Sequence, residues 1–153
     1  MTTPATNTTA ALGAELNALL ADLFALYIKT KSFHWHVAGP RFRDLHLLFD
    51  EQAGALFALT DVVAERVRKN GLGTMTSLSA MASATRIAGQ DRTDLPAEAM
   101  LAELRDDNRR ILAACRAVKA AATAAGDNAT EGMADDWTDQ AEQRIWFLTQ
   151  TLA

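Results

Sequence analysis

The chain has 153 residues, of which 49% are hydrophobic and 7% aromatic, so it is long enough to bury one sizeable core. Its formal net charge of −4 argues against a nucleic-acid-binding surface, which is normally basic. A single cysteine, Cys115, excludes an intrachain disulfide framework and favours a reducing compartment. With abundant alanine and only three prolines, the composition predicts an all-helical protein.

The N-terminal sequence MTTPATNTTAALG shows no signal peptide, because it has neither a basic segment nor an apolar segment after it. No uninterrupted apolar run approaches the roughly 18 residues of a membrane span. We therefore expect a cytoplasmic protein without membrane contact. The Thr-rich residues 1–8 are expected to form a flexible tail, and residues 9–153 a single domain.

Apolar residues recur at spacings of three and four in several long stretches, which is typical of amphipathic helices. Four long helices are predicted, over about 10–37, 41–70, 95–126 and 129–152. Gly39 and Pro40 end the first helix, and Asp94 is a candidate N-cap of the third. The segment SLSAMASAT could form a short helix within the connection 74–93. The pattern predicts a four-helix bundle with a long crossover between its second and third helices.

The second helix shows two distinct faces when its residues are placed at 100° intervals. Its core face is predicted to contain Leu45, Leu48, Phe49, Leu56, Leu59, Val63 and Val67. The opposite face carries His46, Asp50, Asp61 and Glu65, with Ala53, Gly54, Phe57 and Ala58 between them. Glycine inside a helix costs about 1 kcal/mol relative to alanine, so Gly54 favours the close approach of another helix. We infer a two-fold interface between two copies of the chain along this face.

Two pairs of candidate metal ligands lie on this face, His46 with Asp50 and Asp61 with Glu65. Each pair is spaced i, i+4, so both side chains could bind one cation. The centres of the pairs are fifteen residues apart, roughly 22 Å along a helix, which is too far for one metal site. An antiparallel copy would set one pair opposite the other. For either pair taken alone, the alternative to metal binding is that its charged side chains simply belong to a solvated helix face.

The segments HWHVAGPRFRDLHLLFDE (residues 34–51) and DVVAER (residues 61–66) resemble the signature of Dps-type miniferritins. These are small, dodecameric, ferritin-like proteins that protect cells from iron and peroxide. Intervals of 12, 4, 11 and 4 residues separate five ligand types and match the family's ferroxidase centre. The resemblance extends over nearly the whole chain, including the Trp-containing last helix. It implies a ferritin-like four-helix bundle with a short extra helix in the long connection.

The resemblance also implies two iron positions shared between subunits. Asp61 and Glu65 of one subunit, with His34 of the partner subunit, would hold the tighter iron. His46 and Asp50, on the same subunit as that His34, would complete a weaker second position. Carboxylate oxygens suit ferric iron and imidazole suits ferrous iron, although zinc could bind the same ligands.

The activity implied is ferroxidase, with hydrogen peroxide as the preferred oxidant and dioxygen as the other candidate. Two neighbouring irons can pass two electrons to one peroxide, which avoids releasing a hydroxyl radical. The ferric product would be stored as mineral inside a hollow dodecamer built from two-fold dimers. Trp35 corresponds to an aromatic beside the centre that intercepts oxidising equivalents, with a packed interface aromatic as its alternative role.

The sequence departs from the family pattern in two places. His36 lies two residues after His34, about 200° around the helix, so an additional metal contact by His36 would be separate from that site.

Asn128 and Gly132 occupy the positions where relatives carry acidic pore residues. A shifted acidic ring at the three-fold iron-entry pore could be formed by Glu131, Asp135, Asp136 and Asp139, or these residues could simply be a solvated helix start.

DNA binding, as a nucleoid-associated protein with little ferroxidase activity, is the alternative function. Relatives that bind DNA often use a tail rich in lysine and arginine, whereas residues 1–28 contain neither. Electrostatic attraction to phosphate should therefore be weak, and we expect no direct DNA binding. An inert helical bundle is a third possibility, and it would show no iron-dependent absorbance.

Overall fold

The computed structural model describes residues 4–153, which form five helices and, within that range, no strand. The helices are α1 (Pro4–His36), α2 (Phe42–Lys69), α3 (Leu78–Ala84), α4 (Ala97–Ala125) and α5 (Asn128–Leu152). The four long helices match the four predicted ones, and α3 is the short extra helix expected in the long connection. The all-helical prediction is confirmed.

The long helices pack as two hairpins, α1 with α2 and α4 with α5, joined across the bundle by contacts between α1 and α4. The connection between the hairpins runs alongside α1. Asn17 bonds the backbone of Gly73 and Met75 near its start, and Lys29 bonds the carbonyl oxygen of Ala88 near its end. Twelve residues of α1 separate these contacts, so the connection follows the helix for about 18 Å.

The core lies between the four long helices and is dominated by leucine. From α1, seven large side chains are almost completely buried: Leu12, Leu16, Leu19, Leu20, Leu23, Leu26 and Phe33. The other helices contribute residues at the predicted three- and four-residue spacings, including Phe49, Leu56, Leu104, Ile111, Val118, Trp137 and Leu148. Each fully buried side chain of this size contributes about 1.5–3 kcal/mol through the removal of apolar surface from water.

Two predicted helix starts are wrong. α1 begins at Pro4, about six residues earlier than expected, and the hydroxyl groups of Thr8 and Thr9 donate to the carbonyl oxygen of Ala5. Residues 4–8 are therefore helical, while the tail expected at residues 1–3 lies outside the described residues. α4 begins at Ala97 with Pro96 at the N-cap position, so the predicted cap Asp94 lies two residues too early, and its carboxylate pairs with Arg92 instead.

The helix α1 is also apolar enough, by length and composition alone, to cross a membrane over Ala5–His36. This stretch contains Glu15, Asp22, Lys29 and Lys31, so it is not an uninterrupted apolar run. Half of its most apolar window is buried within the bundle, and the core helix of a bundle passes the same test.

Candidate metal centre

The turn between α1 and α2 brings His34 and His46 together. Gly39 has a φ of 108°, a conformation that glycine adopts readily, and its carbonyl oxygen accepts the first hydrogen bond of the turn, from the Phe42 N–H. The chain reverses here, so the end of α1 lies against the start of α2. The two imidazole rings stack with their centroids 3.7 Å apart, and the ring of Phe42 stacks on His46 at 5.0 Å.

Each histidine is held by the backbone of the other. His34 Nδ1 lies 2.6 Å from the carbonyl oxygen of His46, and His46 Nδ1 lies 2.7 Å from the carbonyl oxygen of His34. A carbonyl oxygen can only accept a hydrogen bond, so both Nδ1 atoms must carry the proton and donate it. Both Nε2 atoms therefore present a lone pair, which is the arrangement that orients a histidine for metal binding.

Asp50 lies one helical turn after His46 and faces the same site. Its Oδ1 is 3.9 Å from His34 Nε2 and accepts a hydrogen bond of 2.7 Å from Lys31 Nζ. The hydrogen bond from Lys31 lowers the pKa of the Asp50 carboxyl group below its ordinary value. His34, His46 and Asp50 thus lie at the same end of the α1–α2 hairpin, although within the described residues they are not placed to hold one metal ion together.

Asp61 and Glu65 lie farther along α2, which is unbroken between the two pairs. Both are exposed, and Lys69 Nζ is 3.8 Å from Glu65 Oε2. Asp61 borders an open cavity of about 570 Å³ with otherwise largely apolar walls: Leu20, Phe24, Phe57, Ala58, Thr60, Ala64, Met75 and Met81. Across residues 4–153 no three His, Cys, Asp or Glu side chains are placed to hold a metal ion together. A shared site therefore remains a prediction that needs a second copy of the chain.

The face of α2 between the two ligand pairs is exposed and partly apolar, although it differs from the prediction at two residues. Phe57 is 53% exposed, and a Cβ atom added to Gly54 would meet no other atom within 4 Å. Ala53, assigned to this face from the sequence, is instead completely buried. It lies four residues after Phe49 and three before Leu56, which are both core positions. Leu47, exposed on the Gly54 face, was missed although it lies seven residues before Gly54.

Lys31 is the residue near the site that sequence reasoning missed. It lies three residues before His34, so the helical spacing could have placed it on the same face. Trp35 and His36 are both exposed. His36 Nδ1 donates to the carbonyl oxygen of Ser32 on its own helix, so it lies outside the His34–His46 pair.

The acidic residues at the start of α5 have different surroundings. Asp135 forms an ion pair with Lys119 of α4, and Asp136 accepts a hydrogen bond of 2.7 Å from Gln140. Asp139 is exposed, whereas Glu131 is half-buried. A pore would require further subunits, so the ring of acidic residues remains a prediction.

Comparison with known proteins places the chain in a family. The family model described as a ferritin-like domain matches residues 13–153. The DNA protection during starvation protein of Brevibacillus brevis is 30% identical over 133 residues, covering 87% of this chain and 89% of that protein. Antigen TpF1 of Treponema pallidum is 28% identical over 143 residues, covering 94% and 81%.

Solved structures agree with the sequence matches. Dps from Thermosynechococcus elongatus superposes with a TM-score of 0.95 at 26% identity, covering 99% of this chain and 96% of that one. Dps from Vibrio cholerae, described as a member of a superfamily of ferritin-like diiron-carboxylate proteins, gives 0.91 at 26% identity, covering 96% and 92%. The chain therefore belongs to the Dps-type miniferritins of the ferritin-like family.

Proposed function

We propose that this iron-storage miniferritin is a ferroxidase, which oxidises ferrous iron at sites shared between two-fold related subunits. The observation that carries the proposal is the paired orientation of His34 and His46, whose Nδ1 atoms are bonded to each other's carbonyl oxygens. Backbone hydrogen bonds fix both rings before any metal binds, so little ordering is needed when iron arrives. A histidine that only packs in the core or lies on the surface does not require its ring to be fixed in this reciprocal way.

The five ligands would divide between two iron positions. Asp61 and Glu65, with His34 of the partner subunit, would bind the tighter iron, while His46 and Asp50 would complete the second position. Carboxylate oxygens suit ferric iron, and the lone pairs of the imidazoles suit ferrous iron. Zinc could occupy the same ligands without redox chemistry.

Iron is the substrate of the proposed reaction. Two ferrous ions and one hydrogen peroxide, with two protons, give two ferric ions and two water molecules. Dioxygen is the alternative oxidant. The ferric product would be stored as mineral in a hollow dodecamer in the cytoplasm, and the reaction would protect the cell from peroxide. We further propose that Trp35, which is exposed and follows His34 in sequence, intercepts stray oxidising equivalents; its alternative role is that of an aromatic packed in the subunit interface.

Iron entry is proposed to use acidic residues at the start of α5. Asp136 and Asp139 are the better candidates of the four, because Asp135 is already paired with Lys119 and Glu131 is half-buried. Exposed carboxylates clustered around a three-fold axis would attract ferrous ions through their combined negative potential.

The assignment is tested by stopped-flow oxidation of ferrous iron with hydrogen peroxide in the variant Asp61→Asn/Glu65→Gln. We expect the initial rate to fall by more than about 100-fold, since metal affinity is lost with the ligands. The control is Asp91→Asn/Glu142→Gln, which removes two exposed carboxylates outside α1 and α2 and should oxidise iron like the unmodified chain. Unchanged rates in the Asp61/Glu65 variant would contradict the assignment.

Direct DNA binding is not proposed, although relatives carry names that mention DNA protection. Residues 1–28 contain no lysine or arginine, so the N-terminal segment offers no cations to phosphate. An electrophoretic mobility shift at low salt checks this, and we expect no retardation in the absence of divalent metal. Clear retardation under those conditions would restore DNA binding as a function.

A further inference from the structure

Three buried polar side chains from different helices meet in the interior of the bundle. Gln52 of α2 and Asn108 of α4 both bond Arg144 of α5, and each of the three residues is at most 4% exposed. Gln52 Nε2 donates to the carbonyl oxygen of Arg144 at 3.3 Å, and Arg144 Nε donates to Asn108 Oδ1 at 2.7 Å. This buried cluster shares no residue with the candidate metal centre, so it is a separate polar site.

The contacts within the buried cluster leave three polar atoms without a hydrogen-bond partner among residues 4–153. Arg144 Nη1 and Nη2 are donors, and Gln52 Oε1 is an acceptor. Leaving buried polar atoms unpaired is costly, and nearly all such atoms in native proteins bond to protein groups, to water or to an ion. The cluster therefore requires a small ligand that both accepts and donates hydrogen bonds.

The buried cluster also carries a positive charge that no acidic side chain balances. Within the described chain, Arg144 forms no ion pair with a carboxylate. Burial lowers the pKa of Arg144 to about 10, which still leaves the guanidinium group charged at neutral pH. The Cys115 thiol supplies no negative charge, because burial raises its pKa to about 11. Since a buried charge is costly unless it is paired, an anionic ligand is favoured over water.

We propose that the buried cluster binds a small monovalent oxyanion with one hydroxyl group, the class represented by hydrogencarbonate. Two of its oxygens would accept from Arg144 Nη1 and Nη2, in the bidentate arrangement that guanidinium groups favour, and its hydroxyl group would donate to Gln52 Oε1. Chloride cannot donate to Gln52, and water cannot balance the charge. The bound anion acts as an internal counterion, so the stability of the folded protein depends on the concentration of hydrogencarbonate.

Urea unfolding tests the proposal when sodium hydrogencarbonate is compared with sodium chloride at equal ionic strength, at a fixed, slightly alkaline pH and a fixed protein concentration. A ligand that binds only the folded state raises the urea midpoint. We expect the midpoint to rise with the concentration of hydrogencarbonate and not with that of chloride. Infrared spectra with ¹³C-labelled hydrogencarbonate should show one bound anion per chain, through the isotope shift of its band.

Two variants locate the anion at Arg144. Asn108→Asp provides a counterion within the protein, because its carboxylate takes the place of Oδ1 beside Arg144 Nε, and Arg144→Met/Asn108→Leu lacks the charge. Neither variant should respond to hydrogencarbonate. Arg116→Gln, which removes the same charge from an exposed ion pair on α4, is the control and should keep the full response. Equal midpoints of the unmodified chain in the two salts would overturn the proposal and leave water as the ligand. A full response in both Arg144-site variants would also overturn it, because the anion would then bind elsewhere.

Discussion

Arg144 carries a guanidinium group into the interior of the bundle, where hydrogen bonds satisfy only part of it. Its Nε donates to Asn108 Oδ1 at 2.7 Å, whereas Nη1 and Nη2 are buried without a hydrogen-bond partner. Gln52 Oε1 is buried and unpaired as well. Burial lowers the pKa of Arg144 to about 10, so the group remains charged at neutral pH. Burial also raises the pKa of the Cys115 thiol to about 11, so no nearby thiolate balances this charge.

An uncompensated buried charge is costly, so replacing it by apolar groups should stabilise the protein. Arg144→Met alone leaves Asn108 Oδ1 without a donor, which costs about 1–3 kcal/mol and offsets the gain. We expect Arg144→Met/Asn108→Leu to be more stable than the unmodified chain by about 1–4 kcal/mol. Denaturant unfolding at fixed protein concentration measures this difference. Asn108→Leu alone should be the least stable variant, and a double variant less stable than the unmodified chain would refute the prediction.

At the scale of the elements, buried polar contacts attach the long connection to the bundle. Asp22 is 1% exposed and accepts from the Thr85 hydroxyl group at 2.9 Å, as well as from both the backbone and the guanidinium group of Arg86. Lys29 donates to Asp107 at 2.7 Å and to the carbonyl oxygen of Ala88 at 3.1 Å. Asp22 and Lys29 are thus both paired, and their contacts fix the segment after α3 against α1.

Asp22→Asn should release this segment while leaving the bundle folded. The amide keeps the shape of the carboxylate but loses the charge that pairs with Arg86, and such a loss at a buried site costs about 2–4 kcal/mol. We expect faster hydrogen exchange at residues 85–88, with a smaller change in α4 and α5. The control is Asp94→Asn, at an exposed residue of the same connection that pairs with Arg92. It should change hydrogen exchange neither at residues 85–88 nor in α4 and α5. Uniform loss of protection across all helices would contradict a local role.

Asp127 joins the end of α2 to the start of α5. It caps α5 by accepting from the Thr130 N–H at 3.0 Å, and both of its oxygens are 2.8 Å from Arg66 Nη2. Asn70 donates to it at 3.0 Å. Burial by itself would raise the pKa of Asp127, but the hydrogen bonds from Thr130, Asn70 and Arg66 outweigh it and hold the pKa well below its ordinary value.

The depressed pKa of Asp127 makes its contribution to stability dependent on pH. Because the folded state holds the carboxylate charged, the contribution is complete above the unfolded pKa of about 3.9 and is lost as pH falls toward the folded pKa. Asp127→Asn should cost about 1–3 kcal/mol at neutral pH. The difference from the unmodified chain should shrink below about pH 4. Denaturant midpoints of the variant and of the unmodified chain across this pH range measure the difference, with Asp44→Asn as control. If the difference in stability stayed constant as the pH falls, Asp127 would not be the source of the pH dependence.

At the scale of the whole molecule, the sequence predicted what depends on local spacing. Leu56 and Ile111 recur with core neighbours at helical intervals, and Gly126 ends α4 with a φ of 70°, so the helices and their inner faces were predictable. The 100° spacing placed Ala53 on the wrong face, because its direction lies at the border between the two faces and alanine suits either environment. The start of α1 was placed too late, because threonines weaken a helical pattern.

Contacts between segments that are distant in sequence produce no pattern comparable to the periodic spacing of a helix. Lys29 and its partner Asp107 are separated by 78 residues in sequence, and no sequence pattern marks Arg144 as buried. At the candidate site, the residue types and the resemblance predict five ligands, but only the structure shows the reciprocal hydrogen bonds of the two histidines and the ion pair of Lys31. The proposed site combines residues of two subunits, so the structure of one chain does not contain it.

Gly54 offers a test of that assembly, because its surroundings in the chain and in the proposed dimer differ. A Cβ atom there meets nothing within 4 Å, and removing a glycine from a helix interior gains up to about 1 kcal/mol. Gly54→Leu should therefore not disturb the chain, yet its side chain would hold a second α2 away. We expect a lower solution mass, and slower ferrous oxidation because Asp61 and Glu65 lose His34 of the partner subunit. Ala113→Leu, at an exposed position of α4, is the control and should keep both properties. Unmodified mass and rate in Gly54→Leu would place the interface elsewhere.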